Sequence, residues 1–293
     1  MRVPPLTEAE KNRWYSKFFY ERYEPAPEAL AEIGDNGPMG LENAVSVADR
    51  LTVVRDGYFN RERGWQVMPD GTTFVAGFIF MKDVTPDMFQ WWFSWMPVDG
   101  LRGRLWDPEE HLNLVGDPES IKRMCNSDLS VKERIYGNLL YAVEDNGTGY
   151  ESDRYSWKKL NFRNPVDFGF TQEQLDAIEA KGGRVITAMS GPKDGDYAST
   201  FIHYARPAEG GCEVRSRFFV GYKMDHGQLI KTMADDMPQK ALEQIGTGLT
   251  MHCLKEYTNL GHILPELYAK EGHKVDTIEE YNTLYARDFS DFT

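Results

Sequence analysis

A histidine and a glutamate four residues apart, His252 and Glu256, have the types and spacing of ligands for a metal ion. From Pro238 onward, apolar residues recur every three or four positions, which predicts an amphipathic helix of about 22 residues. Both side chains fall in its apolar stripe, with Leu249 and Leu260. Burying an ionised carboxylate is costly unless a positive charge compensates it. Two interpretations remain open: a metal site, or a buried histidine–glutamate hydrogen bond that only supports the structure.

A metal ion needs further ligands, and the chain has only six histidines. His111 closes the segment RLWDPEEH, and His203 lies inside the apolar segment FIHYA. Glu144 ends the segment LLYAVE, which predicts a buried strand. A carboxylate at such a strand end could reach a site on the helix. These three residues are therefore candidates to complete the site.

The elements that must position these side chains are strands followed by the long helix. The segment that starts at Gly64, GWQVMPDGTTFVAGFIFM, predicts two strands joined by a turn. GRVITAMS, TFIHYARP and CEVRSRFFVGYK predict three more strands in an antiparallel meander. This order predicts an α+β fold in which a curved antiparallel sheet grips the C-terminal helix. We expect residues 1–60 to form a helical or irregular arm on a core domain of residues 61–293, because residues 21–45 are rich in proline, glycine and acids.

A tryptophan-rich segment, TPDMFQWWFSWM, precedes His111. Thr85 and Pro86 are suited to start a helix there. Trp91, Trp92 and Trp95 would then lie along one face of it. That face predicts either a core stripe or the wall of a pocket that binds an aromatic ligand.

The composition limits the class of partner. A formal net charge of −13 disfavours nucleic acid and anionic membranes. The chain has no run of about 18 apolar residues that could span a bilayer, and no signal-peptide pattern at its N-terminus. Three cysteines without CxxC spacing do not predict a disulfide framework. We expect a cytoplasmic protein that acts on a small molecule, with no nucleic-acid or membrane partner, and a homodimer stays open.

Four segments, in this order, resemble the diacetylphloroglucinol/phloretin hydrolase family. They are Trp106–His111, the strand end at Glu144 in VEDNGTG, residues 203–221, and His252-x-x-x-Glu256 followed by NLGHILPELY. The resemblance covers roughly residues 65–270. It implies a metal-dependent carbon–carbon hydrolase with a helix-grip fold, like that of the Bet v 1 and START proteins.

The resemblance also implies a metal site of two histidines and two glutamates. Its ligands would be His111, Glu144, His252 and Glu256. The metal of the family is usually taken as zinc, and this donor set could also take Fe²⁺, Mn²⁺ or Co²⁺. Asp145 and Glu151 are alternatives to Glu144. His203 matches a strand histidine near the substrate and is expected to act as a general acid or as an orienting donor. Glu144 or Glu256 could act as the catalytic base.

The implied reaction is cleavage of the bond between a phenolic ring and an acyl carbonyl, as in phloretin or acylphloroglucinols, by metal-activated water. Two positions depart from the family pattern. Gly103 stands where R-Y-x-x-W has a tyrosine, which we expect to leave space, and Phe218 stands where a pocket tyrosine is expected. Trp91, Trp92 and Trp95 are expected to wall the pocket for a small aromatic ketone.

Three other functions remain open. The first is a metal hydrolase of the same fold that acts on an ester or a non-phenolic β-diketone. The second is a non-catalytic helix-grip protein that binds a hydrophobic ligand. The third is an oxidoreductase with iron bound by histidine and glutamate.

Overall fold

The computed structural model of the chain describes residues 3–34, 37–145 and 155–278. Ten strands lie in these ranges: β1 (Gly64–Val67), β2 (Thr73–Lys82), β3 (His111–Gly116), β4 (Leu139–Glu144), β5 (Ser156–Arg163), β6 (Arg184–Pro192), β7 (Ser199–Ala208), β8 (Gly211–Val220), β9 (Tyr222–Asp225) and β10 (Gln228–Lys231). Eight α-helices accompany them: α1 (Glu8–Lys11), α2 (Pro27–Gly34), α3 (Pro86–Trp95), α4 (Gly100–Arg104), α5 (Pro118–Met124), α6 (Val131–Ile135), α7 (Gln172–Ala180) and α8 (Gln239–Glu271). Short 3₁₀ helices cover Trp14–Phe19, Val47–Val54, Met96–Val98 and Pro165–Phe168.

Eight strands form one sheet in the order β1-β2-β8-β7-β6-β5-β4-β3, and β9 pairs with β10 separately. Every neighbouring pair in the large sheet is antiparallel. This architecture confirms the predicted α+β class, with a large antiparallel sheet and a long helix near the end of the chain. Strands β3, β5 and β10 were not predicted. In β5, SWKKLNFR, the alternation of polar and apolar residues is interrupted by the neighbouring Lys158 and Lys159.

Helix α8 is 33 residues long and continues through Gly261 and Pro265, where the sequence pattern predicts that it has already ended. A proline inside a helix costs about 3 kcal/mol. Three apolar side chains around it, Ile263, Leu264 and Leu267, are completely buried and offset this cost. The burial of this last part explains why the helix does not stop.

The large sheet curves around α8, because the helix contacts both of its edges. At the β1 edge, a Cβ atom on Gly246 would lie 2.7 Å from the Trp65 ring, so the helix packs closely there. At the β3 edge, the His252 ring on α8 lies 3.4 Å from the His111 ring. These two contacts lie about 9 Å apart along the helix, whereas the edges of a flat eight-stranded sheet would lie about 34 Å apart, so the sheet must wrap around α8.

The tryptophan-rich helix and the N-terminal residues pack against this core. Helix α3 starts as predicted, with the Thr85 hydroxyl accepting a hydrogen bond from the Met88 amide. In the N-terminal arm, Tyr15 donates a hydrogen bond of 2.6 Å to Asp99. Within the described ranges, no helix combines the length and the apolar character needed to cross a membrane.

Candidate metal centre

The fold brings the four predicted metal ligands to one place. His111 begins β3 and lies opposite Glu144, the last residue of β4, in the strand register. His252 and Glu256 lie one turn apart on α8, as their spacing predicts. Their relative exposures are only 1%, 9%, 5% and 6% in chain order. Four groups that prefer water are thus buried together, although three separate elements carry them.

The distances between three of these side chains, those of His111, His252 and Glu256, fit one metal ion. Nε2 of His111 lies 3.4 Å from Nε2 of His252 and 3.8 Å from Oε2 of Glu256. Nε2 of His252 lies 3.5 Å from Oε2 of Glu256. These three residues form a group that could hold a metal ion, with all ligand atoms within 4.8 Å of one another. Oε2 of Glu144 lies 3.6 Å from Nε2 of His111. Ligands of a tetrahedral zinc ion lie about 3.3–3.5 Å apart.

The hydrogen bonds on the far side of each ring show why a cation suits this place. Nδ1–H of His111 donates to the Gly103 carbonyl at 3.1 Å. Nδ1–H of His252 donates to the Glu110 carboxylate at 2.6 Å. When both rings are neutral, these Nδ1 protons leave both Nε2 atoms with lone pairs, which cannot bond each other at 3.4 Å but can both bind a cation. Metal-binding histidines commonly have this arrangement, in which the second nitrogen fixes the ring.

The charges around the site also favour a cation. Burial lowers the pKa of His252, but the charge of Glu256 and the contact with Glu110 raise it to about 9. Burial and the neighbouring carboxylate of Glu144 hold the pKa of Glu256 well above its usual range, although His252 opposes this shift. Burial lowers the pKa of His111. Without a bound cation, these surroundings thus favour a proton on His252 and a proton on Glu256, which a metal ion would replace.

Two further side chains complete this electrostatic environment. Burial raises the pKa of Glu144, but the charges of Lys158 and His111 outweigh burial and lower it below the usual range. Lys158 lies 3.5 Å from Glu144 and also lines the adjoining cavity. Lys255 contacts Glu110 from the other side. Sequence reasoning missed Glu110 and both lysines, because their roles arise only when the strands meet α8. The one local signal was the position of Glu110 directly before His111.

A cavity of about 440 Å³ adjoins the four ligands and is lined mainly by apolar side chains. Phe93, Trp106, Phe201 and Phe218 are among its walls. Phe218, which the sequence suggests as a pocket residue, is thus part of the cavity wall.

Trp91, Trp92 and Trp95 are placed differently from the prediction. Among the described residues that line the cavity, none of the three appears. Trp91 stacks on Trp95 at 5.1 Å and meets Tyr268 edge-on at 5.2 Å. From Phe89 onward, helix α3 is buried on all sides, so its pattern could not show that the face with Phe93 turns to the cavity.

His203 lies in the cavity wall and forms a small polar cluster. Its Nδ1 lies 2.8 Å from the Ser216 hydroxyl, and its Nε2 lies 3.1 Å from the Tyr257 hydroxyl. Burial lowers the pKa of His203 to about 3, so the ring is neutral at physiological pH. Burial, with the charge of Glu256, holds the pKa of Tyr257 well above its usual range. Tyr257 was missed in the sequence, although it directly follows a predicted ligand.

The structure contradicts the expectation that Gly103 leaves space in the pocket. A Cβ atom on Gly103 would lie 2.6 Å from Cβ and 2.9 Å from the carbonyl oxygen of Leu114. No side chain fits there, because α4 packs directly on the backbone of β3. Of the two alternatives for the fourth ligand, Asp145 does not line the cavity within the described part of the chain, and Glu151 lies outside the described residues.

Comparison with known proteins agrees with the family resemblance found in the sequence. The family model of the DAPG hydrolase PhiG domain matches residues 45–269. A phloretin hydrolase of Eubacterium ramulus is 30% identical over 271 residues, which cover 91% of this chain and 93% of that protein. A 2,4-diacetylphloroglucinol hydrolase of Pseudomonas protegens is 27% identical over 279 residues, which cover 90% of this chain and 86% of that protein. The matched segment contains all four candidate ligands.

Proposed function

The chain belongs to the DAPG hydrolase family, and we propose that it hydrolyses the carbon–carbon bond between a phenolic ring and an acyl carbonyl with the help of a bound metal ion. The observation that carries the metal is the pair of facing Nε2 atoms of His111 and His252, 3.4 Å apart with both Nδ1 atoms already bonded. Glu144 and Glu256 would complete the ligand set. When bound, the metal would lower the pKa of a water molecule and polarise the acyl carbonyl.

Zinc is the metal that we propose. A buried set of histidine and glutamate ligands without cysteine is typical of catalytic zinc sites. Fe²⁺, Mn²⁺ and Co²⁺ accept the same donors, so the metal in the purified protein needs direct measurement.

The side chains of the cavity would hold the substrate and move its protons. In the reaction, the hydroxyl of water joins the acyl carbon, the ring–acyl bond breaks, and the ring carbon gains a proton. Glu144 and Glu256 are the carboxylates at the site that could take the proton from water. His203 is neutral, so we assign it the orienting role rather than that of an imidazolium acid. Tyr257 keeps its phenolic proton and is placed to donate it as a hydrogen bond.

The aromatic walls support a phenolic ketone as the substrate. Phe93 and Trp106 stand beside His203 and Tyr257, with the Phe93 ring stacked on the His203 ring at 6.0 Å. Phe218 and Phe201 continue this wall, 5.3 Å apart. A flat aromatic ring that lies between such rings buries its apolar faces, while its hydroxyl groups meet the polar cluster.

Purified enzyme tests this proposal through its metal content and its substrate range. We expect about one zinc per chain by elemental analysis, and hydrolysis of phloretin or an acylphloroglucinol that stops on chelation and returns with zinc. A panel that also contains esters and non-phenolic β-diketones would show whether another bond is preferred. Protein that has no bound metal and cleaves none of these compounds would overturn the proposal in favour of simple ligand binding. Oxygen-dependent turnover would indicate an iron oxidoreductase.

We also propose a helix-grip fold with a domain boundary near residue 60. The wrapping of the sheet around α8 supports the fold, and the contacts of Tyr15 with the core support an arm packed on a catalytic domain of residues 61–293. Deletion of residues 1–60 would test the boundary. A cytoplasmic location and a homodimer stay predictions, which cell fractionation and sedimentation velocity would test.

A further inference from the structure

We propose that the cavity beside the first half of α8 is a channel for an aliphatic acyl chain, so that preferred substrates are phenols with a linear acyl group of on the order of eight carbons. This inference rests on the proposed function, because it names the substrate class of the same site. It concerns the side chains Val220, Met233, Met237, Ile245 and Leu249, which we call the acyl channel.

The cavity extends along α8 well beyond the metal ligands. Ile245, Leu249, His252 and Glu256 all line it, at spacings that place them on one face of the helix. Ile245 and Glu256 are eleven positions apart, which corresponds to about 16 Å along the helix axis. Only the part near Glu256 is needed to hold a phenolic ring and its carbonyl.

The two parts of the cavity differ in chemistry. Near Glu256, the lining includes His203 and Tyr257, which can exchange hydrogen bonds with a ligand. Toward the start of α8, the acyl channel contains no charged side chain. Ser199, opposite Val220, and its strand partner Ser190 add two hydroxyls to the cavity lining there, and the Oγ of Ser199 has no hydrogen-bond partner among the described residues.

The position of the acyl channel is fixed by backbone contacts. Val220 ends β8 opposite Thr73, whose hydroxyl donates to the Leu242 carbonyl at 3.3 Å. The Met233 amide donates to the Gly221 carbonyl at 3.3 Å. These contacts hold the end of β8, the segment before α8 and the first turns of the helix together around one apolar space.

This difference in chemistry orients the substrate. The hydroxyl groups of a phenolic ring need hydrogen-bond partners when buried, and these lie near His203 and Tyr257. The acyl group must then point along α8 toward Ile245. From His252 to Ile245 is about 10 Å along the helix, and an extended chain with carbon–carbon bonds of about 1.5 Å needs about eight carbons to cover it. Two methionine side chains allow the channel to adapt to a flexible chain.

A homologous series of acylphloroglucinols tests the channel with the zinc-loaded enzyme. The series runs from acetyl through butanoyl, hexanoyl and octanoyl to dodecanoyl, and kcat/KM is measured for each compound. We expect kcat/KM to rise about two- to fourfold for each added CH₂ group and to level off near octanoyl. The dissociation constants of the matching alkylphloroglucinols, which cannot be hydrolysed, should fall in parallel in tryptophan-fluorescence titrations.

A bulky substitution in the channel provides the second arm. In Ile245→Trp, the ratio of kcat/KM for octanoyl over acetyl substrate should fall at least tenfold. Thr247→Trp is the matched control, because Thr247 is exposed on the same helix and lies outside the cavity. Its ratio should equal that of the wild type.

The outcomes separate the two proposals. Hydrolysis with flat kcat/KM and flat affinity across the series would overturn the acyl channel and leave the proposed function standing. Affinity that rises with chain length, without cleavage of any acylphenol, would support the channel and overturn the proposed function. Flat affinity without cleavage would overturn both.

Discussion

Glu110 provides the sharpest test of the metal site, because it touches a proposed ligand without being one. Its carboxylate accepts the Nδ1–H bond of His252 at 2.6 Å and also contacts Lys255. Substitution by glutamine keeps an oxygen that can accept the hydrogen bond but removes the negative charge. Substitution by alanine removes both, so the His252 ring loses its fixed orientation.

The expected size of the effect follows from this contact. Loss of a group that orients a metal-binding histidine weakens metal binding about 10- to 100-fold, which corresponds to about 1.4–2.7 kcal/mol. We expect Glu110→Gln near the lower end, since one hydrogen bond remains. We expect Glu110→Ala near the upper end. Both variants should keep the fold, because Glu110 lies outside the apolar core.

The assay is zinc competition against a chromophoric chelator, which gives the dissociation constant of each variant. Glu109→Gln is the matched control: its side chain is 41% exposed, pairs with Arg22 and lies 3.9 Å from Lys255, so within the described residues it shares the surroundings of Glu110 without a hydrogen bond to His252. The control should bind zinc as the wild type does. If Glu110→Ala bound zinc with wild-type affinity, our account of how His252 is held toward the metal would be refuted.

Four further predictions follow from the same geometry. Glu256→Ala should lose both bound metal and hydrolysis, and full metal content by elemental analysis would show that the ligand assignment is wrong. His203→Gln should keep its metal while kcat falls about 10²-fold or more, if an oriented hydrogen bond is needed for proton transfer. Burial lowers the pKa of His203 to about 3, below its value of about 6.5 in the unfolded chain. Between pH 3 and pH 6.5, roughly, the unfolded state therefore binds more protons than the folded state, and the free energy of unfolding decreases as the pH falls through this range. His203→Gln should therefore reduce the acid dependence of the free energy of unfolding by up to about 1.4 kcal/mol per pH unit there, and an unchanged slope would contradict the neutral ring. Gly103→Ala should lower the unfolding free energy by about 1–3 kcal/mol, since its Cβ would lie 2.6 Å from Leu114 Cβ, and an unchanged denaturation midpoint would show that β3 has room.

The sequence alone was sufficient for features that depend on local spacing. The four-residue interval of His252 and Glu256 places both on one face of any helix, and the apolar neighbours of that face predict their burial. The strand patterns likewise predicted β2, β4 and the meander β6–β8, and with them the α+β class. Helix periodicity and strand alternation are read directly from neighbouring residues, so these predictions did not need the folded chain.

The tertiary structure decided the features that depend on residues far apart in the chain. His111 and His252 are 141 residues apart and meet only because the sheet curves around α8. The same packing buries the end of α8 and carries the helix through Pro265. It also turns Phe93 rather than the three tryptophans toward the cavity, and presses Gly103 against β3. The physical reason is that hydrophobic burial and hydrogen bonding fix the side chains of a site only after strand register and helix position have determined which surfaces face each other.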